Sequence, residues 1–351
     1  MKGTQEIQDC EVQRKGTAGE CCSLLDIVET SEQVDVWEGR TKRKRQAQKV
    51  AKQLRNAGFS MRADNILKCC SRYMRRKYSC SHVGPVLRMD WRCKDRLCPE
   101  CQHVRSVKLA QRYGPALRGY VERNGLHAHH VVLTFAHVEG LPDWKRLKGC
   151  VKKLFSPKTV ALREFWDRYG NAGVMENFEM HLAEDGMYHA HFHCVLLTER
   201  PVELIETGKH AGKWQNSVNQ ELSDAWREIT KDSFVVYTSE INLDRIFEVV
   251  KYCFKGLTDM NNSDVEHLVE WLSGKRFTHL LGPLYNNPEF KALLADADAV
   301  AEAEAEAEEC CTECGCNEWR DVLYEWHPIL QMYVECEERY DESQTWPLSP
   351  S

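Results

Sequence analysis

One stretch constrains this chain more than any other: the two runs Gly173–His181 and Tyr188–Leu197, separated by Glu184-Asp185-Gly186. Each run has the period-two alternation of a strand, and a short turn ending in glycine between them predicts a β-hairpin in which Gly186 takes the left-handed conformation. That register opposes Glu179 to His191, His181 to His189 and Phe178 to Phe192. Side chains alternate faces along a strand, so Tyr188, Ala190, Phe192, Cys194 and Leu196 make an apolar face while His189, His191 and His193 share the other. Neutral imidazoles at i and i+2 with a carboxylate opposite suit a divalent cation whose remaining positions stay open. His191, His193 and Glu179 are the expected ligands, and His189 a neighbour. Glu176 falls on the apolar side, and a one-residue slip would exchange the two glutamates.

A second pattern lies downstream. Leu243–Phe254 reads as a helix in which Glu248, Tyr252 and Lys255 occupy i, i+4 and i+7, one face. A phenol ionises near pH 10, so Tyr252 attacks at neutral pH only beside a cation or a polarised electrophile. Lys255 can supply the charge, and Glu248 is positioned to activate a water.

The rest of the chain supplies context. Strands at His129–Phe135 and Phe234–Ile241, with helices around Leu162–Trp166 and over Trp214–Ile229, predict an α+β fold with helices on a largely antiparallel sheet. Basic helices are expected over Lys42–Arg76, and a further helix from Gln102 to Gly114-Pro115. Arg40–Gly125 holds 23 Lys and Arg against 5 Asp and Glu, whereas 296–351 holds 16 acidic residues against 2 basic, inside a chain of net charge -6. A basic block in an acidic protein points to a phosphate-bearing partner, because lysine and arginine gain affinity by releasing counterions from nucleic acid. Of 17 cysteines, Cys80, Cys93, Cys98 and Cys101 are expected to hold a structural zinc, with Cys69, Cys70, His82 and His103 as substitutes. Neither a signal peptide nor a long apolar run is evident, so a cytoplasmic, non-membrane protein is expected. The organisation reads as a flexible N-terminus over 1–40, a basic zinc-binding DNA-contact region over 41–120, a catalytic domain over 121–270 and an acidic, cysteine-containing region over 271–351. The Ala-Glu run after Pro288 is expected to be an exposed acidic helix or a tether.

Taken together, Glu179, His191-Phe192-His193 and Glu248-x-x-x-Tyr252-x-x-Lys255 resemble the single-tyrosine rolling-circle plasmid replication initiators of the HUH endonuclease superfamily. Val131–Phe135 stands where those proteins have a short apolar strand ending in threonine, and the Cys93–Cys101 segment is similar to the one preceding their catalytic domain. The resemblance implies an HUH-type (ferredoxin/RRM-like) sheet preceded by a small zinc-binding segment. It implies a nickase in which Tyr252 forms a 5′-phosphotyrosine and frees a 3′-OH, and which rejoins strands at termination. It further implies Mg2+ or Mn2+ at the histidines, origin DNA as a single strand or extruded hairpin, and a host helicase and polymerase as partners. A transposase or relaxase of a mobile element, or a non-catalytic zinc-dependent DNA-binding regulator, would use parts of the same pattern.

Overall fold

The computed structural model describes residues 33–80, 86–89, 91–156, 158–183, 185–242, 249, 254–255, 262–307, 314–316 and 318–336. Its centre is a six-stranded sheet built on the expected hairpin. Strands β4 (Gly173–Leu182) and β5 (Tyr188–Thr198) pair with Glu179 opposite His191 and His181 opposite His189. The Ala183 amide donates to the Met187 carbonyl at 3.0 Å, and Gly186 adopts a φ of 78° to close the loop, a conformation a side chain disfavours.

β5 lies in the middle of the sheet. On its far side β3 (His127–Thr134) pairs antiparallel, followed by β6 (Val236–Glu240). The outer edge of β4 is shared: β8 (Thr278–Leu281) covers Val174–Asn177, and β7 (Phe254–Lys255) runs parallel beside Met180 and His181. Phe254 and Lys255 are therefore extended rather than the end of a helix. In consequence the expected helical face does not reach Lys255, because an extended backbone breaks the i, i+4, i+7 alignment.

Helices cover both faces unequally. On one face Val131, Leu133, Phe178, Phe192 and Leu196 are fully buried under α4 (Trp144–Leu154), α5 (Arg163–Tyr169), α6 (Asn216–Thr230) and α7 (Asn262–Leu272). Trp144, Trp271 and Phe277 pack around Phe178 there with ring centroids 5.1–5.7 Å apart, and such burial is the main source of stability. On the other face, α3 (Pro99–Asn124) and α8 (Pro288–Ala307) pack, among the described residues, with Met175, Val195 and Leu197 and with the flanking Ala128 and Leu280. The remainder of that face carries the histidines.

α3 continues through Gly114 and Pro115, where the sequence predicts an end. Proline cannot donate to the preceding turn, but Ala116, Leu117 and Tyr120 beyond it are buried against Phe290, Leu293 and Leu294 of α8, and that packing holds the helix together. The acidic run is thus helical to Ala307, on a helix anchored at its N-terminal half.

A second, four-stranded sheet joins distant parts of the chain in the order β10-β9-β1-β2, with β1 (Arg72–Tyr78), β2 (Val86–Met89), β9 (Trp319–His327) and β10 (Met332–Cys336). It packs on α1 (Gln33–Asn56) through Trp37, whose ring meets Tyr73, Tyr324 and Tyr333 with centroids 4.9–6.0 Å away. The basic segment expected to stay helical to Arg76 instead ends at α2 (Ser60–Lys68), since β1 finds its partner in β9.

Candidate active site and metal centres

The other half of that sheet face gathers Glu179 and His181 from β4 with His189, His191 and His193 from β5. Their placement follows from the hairpin register alone. What orients them comes from β3. The Thr134 hydroxyl lies 3.2 Å from His191 Nδ1, and His130 Nε2 lies 3.2 Å from His193 Nδ1. His193 Nε2 meets Glu179 Oε2 at 2.8 Å, with both residues buried. Burial pushes His191 down to about 4, with His181 and His193 acting in the same direction. A neutral imidazole at neutral pH is the form that binds a metal.

The expected ligands are brought onto one face but not into one knot. Glu179 and His193 touch each other, whereas the ring nitrogens of His191 converge with those of His181 and His189, all within 4.8 Å. The donors suit a divalent cation at either grouping: an imidazole nitrogen and a carboxylate at His193 and Glu179, three imidazole nitrogens at His181, His189 and His191. His181, Thr134 and His130 are the residues that sequence reasoning left out of the site. His181 sat in the predicted register opposite His189, so its signal was present, while the two β3 contacts depend on strand pairing 57 and 63 residues away. His129 is a core histidine, 3% exposed and accepting from the Trp214 indole at 3.2 Å.

Glu248 and Tyr252 lie outside the described residues. Near them, Val249 is fully buried with Met175 and Val195, and the Lys255 backbone pairs beside His181.

The cysteines form a separate centre. Cys69, Cys93, Cys98 and Cys101 bring their sulfurs within 4.8 Å of one another. Cys69 and Cys93 stand 3.5 and 3.6 Å from Cys101, close to the ~3.8 Å edge of a tetrahedron with Zn–S bonds of about 2.3 Å. The neighbouring thiols hold the Cys69 thiol well below its ordinary range, Cys101 most strongly. Cys80, the expected fourth ligand, is replaced by Cys69. It follows the end of β1, which leads it away, whereas Cys69 caps α2 and turns back onto the Cys93–Cys101 loop. Arg62 clamps that loop through Asp95 with two bonds of 2.8 and 3.0 Å.

A largely antiparallel sheet thus presents His-x-His and a carboxylate on one face, with the cysteine cluster as a second centre. The family model described as Replication protein matches residues 85–334, which is 250 of the 351 residues. The chain belongs to that family: it is a rolling-circle replication initiator of the HUH superfamily, with the role of a DNA nickase and strand transferase. No curated protein and no solved structure matches it. Among the described residues no helix is long and apolar enough to cross a membrane.

Proposed function

We propose that the initiator nicks origin DNA, as a single strand or extruded hairpin, with Tyr252 as the nucleophile and the histidine face as its metal site. The observation that carries this reading is the register of β4 with β5, which sets Glu179 and His181 against the histidine strand on one face, next to the edge where Lys255 pairs. The Tyr252 oxygen attacks the scissile phosphorus and loses its proton. The P–O bond to the upstream nucleotide breaks, and its oxygen takes up a proton to become a free 3′-OH while the downstream strand stays as a 5′-phosphotyrosine. Lys255 offsets charge on the phosphate or phenolate. Glu248 directs water in the terminating cleavage, and reversal of the tyrosine step rejoins strands. His191, His193 and Glu179 would hold Mg2+ or Mn2+, which would supply Lewis-acid polarisation of the phosphate. The 3′-OH is what a host polymerase extends, and a host helicase opens the duplex ahead of it.

The cysteine centre is proposed to hold zinc as a structural brace. Sulfur separations suited to a tetrahedron support this, as does the Lys44 ammonium, which donates to the Cys69 carbonyl at 2.9 Å and the Ser71 hydroxyl at 2.8 Å beside the cluster. In a chain with one catalytic and one structural metal, Cys69→Ser lowers the zinc content measured by plasma mass spectrometry and Cys80→Ser leaves it unchanged. The reverse pattern removes Cys69 from the site.

Incubation with origin single strands and Mn2+ yields a DNA-linked peptide, and mass spectrometry finds the link on Tyr252. Tyr252→Phe abolishes the adduct while DNA binding persists. An adduct that survives in Tyr252→Phe moves the nucleophile elsewhere, and an unmodified wild-type protein defeats the nicking mechanism.

A further inference from the structure

Next to the histidine face runs a groove that the chemistry above does not use. It lies between α3 and β8, encloses about 590 Å3, and draws its lining from three distant parts of the chain. Arg96, Arg105 and Arg112 come from the cysteine loop and α3, and Lys275 and Arg276 from the turn before β8. Among the described residues, none of the fifteen that line it is Asp or Glu, although the protein as a whole is acidic. Arg105, Arg112 and Arg276 are exposed. Arg112 pairs at 2.9 Å with Asp298 of α8, both half open to water. A pair of that kind contributes little and exchanges readily for a phosphate.

Aromatic groups complete the groove. Arg96 is part of its rigid floor, donating to the Leu272 carbonyl at 2.8 Å with its guanidinium 5.0 Å from the centre of the Phe277 ring. At the lip, Tyr285 is 65% exposed, a large ring left in water. Cations along a groove with an exposed ring beside them is the construction that holds one nucleic-acid strand, because the charges track phosphates and every base has a face to stack. A duplex keeps its bases turned inward and gives Tyr285 nothing to stack on.

The groove also borders the site. Its inner wall includes Asn177, which lies directly across from His193 and two residues before Glu179 on the same face of β4, a separation of about 7 Å along the strand. The Thr278 hydroxyl donates to the Asn177 side chain at 2.8 Å, fixing that junction. The geometry points to this groove as the seat of the single-stranded DNA that flanks the scissile phosphate, an inference that rests on the nicking reading above. The strand lies with its phosphates on the arginines and Lys275, stacks a base on Tyr285, and passes over Asn177 to the histidines.

The test is fluorescence anisotropy with a labelled single strand of about 20 nucleotides, long enough to exceed one binding site, in buffer without added divalent metal. Arg105→Glu with Arg276→Glu weakens binding by about tenfold or more and lowers the slope of log affinity against log salt by about 1.4, two phosphate contacts at ~0.7 each. Tyr285→Ala weakens it at least about fivefold with little change in slope. Lys209→Glu with Arg320→Glu, exposed and outside the groove, serves as the control for net charge and changes affinity by less than about twofold. Equal losses in the groove and control variants overturn the proposal, as does a duplex of the same length that competes as well as the single strand. Adduct formation with Mg2+ is scored in parallel. Groove-dependent binding without adduct defeats the nicking reading and leaves the groove; adduct with groove-independent binding defeats the groove alone.

Discussion

Glu176 and Glu179 stand three residues apart on one strand and live in opposite worlds. Glu176 is fully buried on the helix-covered face, where it pairs with Lys148 of α4 close to Cys194 and Phe192. Glu179 is 6% exposed on the histidine face and hydrogen-bonded to His193. Their composition is identical, and their neighbours differ because a strand turns successive side chains to opposite sides. One carboxylate lies against the Lys148 amine inside the core, where burial pushes that amine down to about 7. The other faces imidazoles that can release it to a cation. The lesson is that charge buried in this sheet is matched to its face, a lysine amine among the apolar side chains and imidazoles on the opposite side.

The comparison breaks most visibly at Lys148. Replacing it with methionine strands the Glu176 carboxylate in an apolar environment, and urea denaturation should show a loss of about 3–5 kcal/mol. Lys148→Met combined with Glu176→Met should recover most of that loss, since a buried pair exchanged for packed apolar groups costs little. If the single variant is as stable as the parent, the pair does not neutralise the core. Glu179→Gln sharpens the other half. It keeps the shape and an acceptor for His193 but removes the charge, so nicking should fall about 100-fold, equal to about 2.7 kcal/mol, with stability changed by less than about 1 kcal/mol. A Glu179→Gln protein that nicks normally moves the carboxylate ligand elsewhere, and one that unfolds makes Glu179 structural.

The faces of the two glutamates were legible because they depend on local order: the period of the strands, the length of the turn and the glycine that closes it. The same holds for the alternation that puts His191 and His193 together, and for the cysteine knuckle from Cys93 to Cys101. Other parts were not legible. Nothing near Cys69 marks it over Cys80, since the choice is made where α2 ends and β1 departs toward β9, some 250 residues along the chain. Thr134 and His130 reach the histidines only because β3 pairs with β5 in one register. Helix propensity and spacing favoured a helix through Phe254, but the edge of β4 offers unpaired main-chain groups, and Phe254 and Lys255 take them. Pairing energy from a distant strand outweighs a local preference worth a few tenths of a kcal/mol per residue.

By itself, then, the amino-acid order determined the hairpin, its two faces, the histidine and carboxylate donors and the basic character of the first third of the chain, because sterics and side-chain period act between neighbours. The tertiary structure decided which cysteine closes the metal cluster, which β3 side chains orient the imidazoles, and that arginines from α3 and the turn before β8 border one groove beside the histidines. Those outcomes depend on contacts between segments far apart in sequence, and only the packed sheet and helices bring them within reach.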